Sequence, residues 1–146
     1  MRALTIIILL LTSRISFSQD TNVTWIKNID TYAFKLLYDK RDIPKEFYSV
    51  LSIEDLNTIA NPSEEYSPGC TNPIRGQLNW IAKQKSRWII SITYGGKGVC
   101  NRFFFFDKDN GELNINEMNF LGPKKSGTTI REVVTLIKSG QYEFEE

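Results

Sequence analysis

From Gln77 onward the chain alternates. Leu78, Trp80 and Ala82 are interleaved with Asn79, Ile81 and Lys83, and Trp88, Ile90, Ile92 and Tyr94 with Ile89, Ser91 and Thr93. Successive side chains of a strand point to opposite faces, so this period of two predicts two neighbouring strands, the second the clearest half-buried one. Gly95-Gly96-Lys97-Gly98 turns the chain, and residues 99–106 run back to end in four consecutive phenylalanines. Apolar side chains on both faces require cover on both, which predicts a central strand with helices over at least one face. Asp107-Lys108-Asp109-Asn110-Gly111 reads as a second hairpin turn, with Asn110 and Gly111 at positive φ, leading into a fourth strand through Leu113, Ile115 and Phe120.

Upstream the pattern is helical. Behind a cap at Asn22 or Thr24, the residues Ile26, Ile29, Ala33, Leu36 and Leu37 follow helical spacing, although Tyr32, Phe34, Leu36 and Tyr38 also alternate as a strand would. Asp39-Lys40-Arg41-Asp42 is a charged break, and Pro44 suits a first helical turn. Ser52 predicts a cap, with Glu54 and Asp55 in the first turn and a buried stripe of Ile53, Leu56, Ile59 and Ala60 ending at Asn61-Pro62. A loop rich in Pro, Ser and Glu follows over 62–73. At the other end Thr129 and Glu132 fit a capping box, Ile130, Val133, Val134 and Ile137 share one face, and Gly140 supplies the stop. Tyr142 and Phe144 alternate with Glu143 and Glu145 in a tail suited to an edge strand. The expected fold class is therefore α+β: N-terminal helices, an antiparallel meander of about four strands, and a C-terminal packing helix.

The first eighteen residues change this picture. Met1-Arg2 is a short basic start, residues 4–11 are apolar apart from Thr5, and Ser16-Phe17-Ser18 has the small-x-small form that signal peptidase reads. The apolar run is shorter than the ~20 residues needed to span a bilayer. Residues 1–18 read as a signal peptide cut before Gln19, leaving 19–146 as a single α+β domain, secreted or periplasmic, with no membrane contact after the signal is removed. Cys70 and Cys100, the only cysteines, then read as a disulfide, against the alternative of two buried thiols.

Charge and composition narrow the function. Losing Arg2 and Arg14 with the signal takes the balance from 18 basic against 17 acidic groups to 16 against 17. A nucleic-acid partner calls for a basic excess, so none is expected. The chain has no histidine. Serine–histidine and cysteine–histidine nucleophile systems are thereby excluded, as are imidazole zinc sites, and two cysteines cannot supply a structural zinc site alone.

The remaining motifs are weighed against simpler readings. Asp107, Asp109, Gly111 and Glu117 evoke a calcium loop, but the spacing to Gly and Glu is one residue short of the EF-hand, and a hairpin is expected instead. The three glycines of 95–98 expose backbone N–H groups beside Lys97 and Arg102, which would form a weak anion or carboxylate nest if they are more than a turn. Trp25, Trp80, Trp88, Tyr94 and the phenylalanine run exceed a minimal core, so they either form a large core or line an interface. No cofactor or metal is implied. The expectation is a small, exported, non-enzymatic binding protein of inhibitor or toxin-neutralising type, with Tyr94, Lys97 and Arg102 at its ligand or partner surface. The alternatives are a small-ligand pocket between sheet and helices, and a carboxylate-dependent enzyme or toxin. An exposed aromatic patch would favour the first, a deep pocket on the sheet the second, and two close buried carboxylates the third.

Overall fold

A computed structural model describes residues 25–66, 74–95, 100–109, 112–120 and 128–144. The signal segment, Cys70, Lys97, the Asn110-Gly111 turn and the glycines 96 and 98 lie outside the described residues. The framework is a seven-stranded sheet of β1 (Lys35–Leu37), β2 (Ile59–Ala60), β3 (Gly76–Gln84), β4 (Arg87–Tyr94), β5 (Cys100–Asp109), β6 (Glu112–Phe120) and β7 (Tyr142–Phe144). The hydrogen-bonded order is β1-β3-β4-β5-β6-β7, every pair antiparallel. β2 runs parallel to β3 and shares its outer edge with β1. The longest helix among the described residues is α1 (Ile130–Lys138).

The expected α+β arrangement of N-terminal helices, four-strand meander and packing helix is thereby overturned: the sheet dominates. Residues 25–27 are helical, but beyond them the chain makes short 3-10 turns at Thr31–Ala33, Lys40–Asp42, Lys45–Phe47 and Leu56–Thr58. The cause is local. Asp30, Asp39 and Asp55 each accept the backbone N–H two residues on, from Tyr32, Arg41 and Asn57. A short side chain that closes this ring gives the backbone a turn in place of a continuing helix. Ser52, expected as a helix cap, sits in the left-handed region at φ 53°, and Ile59-Ala60, expected on a helical stripe, form β2. Of the two periods in 26–38, the strand period holds from Phe34 on, and Leu36 pairs with Ala82 in β1.

Both faces of the sheet are buried, so β4 is not half-exposed: every residue from Trp88 to Thr93 is buried. On one face Trp80, Ala82, Ile89, Phe103 and Phe105 pack against Ile26, Ile29, Phe34 and the apolar side of α1. On the other, Leu78, Ile81, Trp88, Ile90, Ile92, Phe104 and Phe106 pack beneath Ile43, Phe47, Leu51 and Ile53 of the 3-10 segment. The four phenylalanines thus divide evenly between two cores. Phe47 stacks on Phe106 with ring centroids 3.9 Å apart and meets Trp88 edge-on at 5.3 Å. Each buried ring contributes up to about 3 kcal/mol through apolar burial.

One irregularity departs from strict alternation. The β3–β4 register runs Leu78↔Ile92 and then Trp80↔Ser91, so Asn79 is an extra residue in a β-bulge. Leu78 consequently faces the 3-10 segment, whereas Trp80 and Ala82 face α1. Gly76 marks the other special point of β3. A Cβ there would come within 3.1 Å of side-chain atoms of both Ile59 and Ile92, so the close approach of β2 and β4 favours glycine. At the end of α1, Thr129 and Glu132 form the capping box and Gly140 takes φ 71° just past the last turn.

Candidate functional site

Tyr94 and Arg102 are brought together at the end of the sheet where β4 leads into the 95–98 turn. Both lie on the face of Phe104, because Tyr94 and Phe104 belong to one face and Arg102 is two residues from Phe104 on β5. The Arg102 guanidinium lies 5.6 Å from the Tyr94 ring and 5.4 Å from that of Phe104, and its Nε donates to Glu117 Oε1 on β6. The Tyr94 hydroxyl donates to the Leu51 carbonyl at 2.6 Å. Burial pushes the Tyr94 phenol above the ordinary tyrosine range, since its ionised form would lose water and this bond. The base of the turn is therefore clamped to the 3-10 segment and to β6. Lys97, the third expected site residue, lies outside the described residues.

Asp107 and Glu117, the outer members of the calcium-like motif, face opposite sides of the sheet. Asp107 accepts from Arg87 Nε at 3.4 Å, two residues beyond Phe105 of the helix-side core, whereas Glu117 joins Arg102 on the other side. A single ion cannot bridge them. Among the described residues no cluster of three metal-ligating side chains occurs.

A second constellation was not foreseen. Asn79, pushed onto the helix side by the bulge, donates through Nδ2 to Ser91 Oγ and Thr93 Oγ1, each at 3.0 Å. Thr93 Oγ1 also donates to Asn101 Oδ1. Ser91, Thr93 and Asn101 are buried, so an uncharged hydrogen-bonded rank crosses β3, β4 and β5 beside Trp80 and Phe103. It could have been suspected from the polar residues at 79, 91, 93 and 101 inside otherwise apolar strands.

Among the described residues the large exposed apolar side chains are Tyr32, Leu36 and Tyr38, 82%, 40% and 55% accessible. Trp80, Trp88 and the four consecutive phenylalanines of β5 belong instead to the two cores. Leu36 belongs to β1, an outer strand of the sheet, with Tyr32 in the 3-10 turn before it and Tyr38 directly after it. Beside Tyr32 runs an open cleft of about 450 Å³ between the 30–32 turn and α1, lined by Asp30, Thr31, Tyr32, Arg131, Thr135 and Lys138. The Arg131 guanidinium lies 5.2 Å over the Tyr32 ring. The period-two reading of 32–38 was the signal that could have located this edge.

No described helix is long and apolar enough to cross a membrane. Comparison with known protein families, with curated proteins and with solved structures finds no match.

Proposed function

We propose that the chain is a small exported, non-enzymatic binding protein acting on another polypeptide through surface complementarity, as an inhibitor or neutralising protein would. The observation that carries this reading is the exposure of Tyr32, Leu36 and Tyr38 on and beside an outer strand, where most large apolar side chains among the described residues are buried or half-buried. Exposed aromatics beside an arginine are the side chains that concentrate binding energy at interfaces. An open surface cleft against α1 supports the same choice, since a segment of another polypeptide can enter it from the side. Tyr94, Lys97 and Arg102 form the second proposed contact, at the other end of the sheet. The clamp of Tyr94 to Leu51 stiffens the base of that turn and lowers the ordering cost of docking it.

The test is native mass spectrometry of the protein recovered gently from the envelope or medium of its source, beside Leu36→Asp, Tyr38→Glu and Lys97→Glu variants. A stoichiometric complex with a second polypeptide, lost in the edge variants, is the expected result. A protein that carries only a small molecule would favour the ligand-pocket alternative, and one that carries neither would overturn the binding reading.

A further inference from the structure

The geometry points to the cleft between the 30–32 turn and α1 as a docking groove for an acidic, extended segment of the partner protein. This inference rests on the binding-protein reading and names the chemistry of what is bound. Arg131 follows Thr129, the cap of α1, by two residues. The first turn is the positive end of the helix dipole, where a cation is unfavourable, so helix stability does not account for an arginine there. Its guanidinium is instead held over Tyr32, a ring 82% exposed. A stacked guanidinium keeps its edge N–H groups available for a carboxylate. Lys138, in the last turn of α1, lines the same cleft. Among the described residues neither Arg131 nor Lys138 takes part in an ion pair.

The opposing charge in the cleft is Asp30, whose carboxylate is turned to the Tyr32 N–H at 3.0 Å to close the 3-10 turn. The two cations are thus left facing the cleft. Seven residues of helix separate them, roughly 10 Å at 1.5 Å per residue. A polyproline-II segment has three residues per turn and rises about 3.1 Å per residue, so carboxylates three positions apart lie on one side of it, roughly 9 Å apart, and match that separation. The groove accordingly fits an extended polyproline-II-type segment with acidic residues at i and i+3, and Tyr32 supplies an aromatic wall for the residues between them.

The probe is a fluorescein-labelled peptide, glycine- and serine-rich, with two glutamates three positions apart, compared with a twin carrying glutamines. Fluorescence anisotropy with the mature protein should show the glutamate peptide binding at least about tenfold more tightly, with the preference shrinking as salt is raised. Arg131→Gln and Lys138→Gln should each reduce the preference, and Tyr32→Ala should weaken both peptides. All three sites are exposed, and an unchanged circular dichroism spectrum shows that the variants fold. Equal affinity for the two peptides, or a preference that survives in the Arg131→Gln/Lys138→Gln double variant, overturns the groove assignment. In that case a native complex sensitive to Leu36→Asp still supports the binding-protein reading, whereas a native protein holding no polypeptide overturns both.

Discussion

Thr93 is the joint of the buried polar rank. Its hydroxyl meets Asn79 on one side and Asn101 on the other, at 5% exposure. Thr93→Val keeps the shape but removes the hydroxyl that both amides bond, at a buried position, and losing such a bond costs about 1–3 kcal/mol. Urea denaturation should show the variant less stable by about that amount with an unchanged slope. A loss below about 0.5 kcal/mol would mean that the rank is not a coupled network. The clamp at Tyr94 makes that residue a poor probe of the proposed contact. Tyr94→Ala removes a ring packed in the core and a hydroxyl bonded to Leu51, so it disturbs folding as well as any contact, and Lys97→Glu is the cleaner probe of the turn.

Among the elements, legibility followed the range of the forces involved. β3, β4 and β5 were visible because strands buried on both faces are long runs of β-branched and aromatic residues between turns, and the capping box announced α1 because its partners are three residues apart. The N-terminal helices were misread because three aspartate turns override a helical spacing that rests on only a few apolar residues. The bulge at Asn79 was invisible, since it is fixed by the partner strand. The Asp39 turn offers a direct check. Its hydrogen bonds with Arg41 hold the carboxyl at about 2, below the ordinary aspartate value of 3.8. A lowered carboxyl pKa stabilises the turn at neutral pH, and this contribution is lost as pH falls below the ordinary value toward 2. Carbon-detected NMR titration should find Asp39 ionising near that value and returning toward the ordinary range in Arg41→Ala.

At the scale of the whole molecule, the sheet brings together parts that the sequence keeps apart. Cys100 lies opposite Tyr94, which lies opposite Gly76, so it stands two strands, about 10 Å, from the start of β3. The segment carrying Cys70 leaves from Tyr66, whose hydroxyl donates to the Arg75 carbonyl at 3.3 Å, and returns at Ile74. Four residues on either side can span roughly 13 Å, so a Cys70–Cys100 bridge is within reach. The proposed export predicts a mature chain that begins at Gln19, and the bridge predicts no alkylatable thiol until reduction. Reduction should cost roughly 3.5–4 kcal/mol on the loop-entropy model. Intact mass with and without reductant, followed by chemical denaturation, checks all three statements. Two thiols in the unreduced protein would remove the bridge. The exposed edge, by contrast, was only half legible: alternation through Phe34, Leu36 and Tyr38 pointed to a strand, but only tertiary packing decides that Phe34 is buried while Leu36 and Tyr38 meet solvent.

The extra residue of β3 also governs how a gene for this fold can change length. Loss of the codon for Asn79 would restore regular pairing while leaving Leu78 on the 3-10 side and Trp80 on the helix side, at the expense of the polar rank alone. Loss of the codon for Ile81, two positions on, would throw Ala82 and its successors onto the wrong core or tear the ladder from β1. Within one strand, the same one-codon deletion is absorbed at the bulge and shifts the register beyond it.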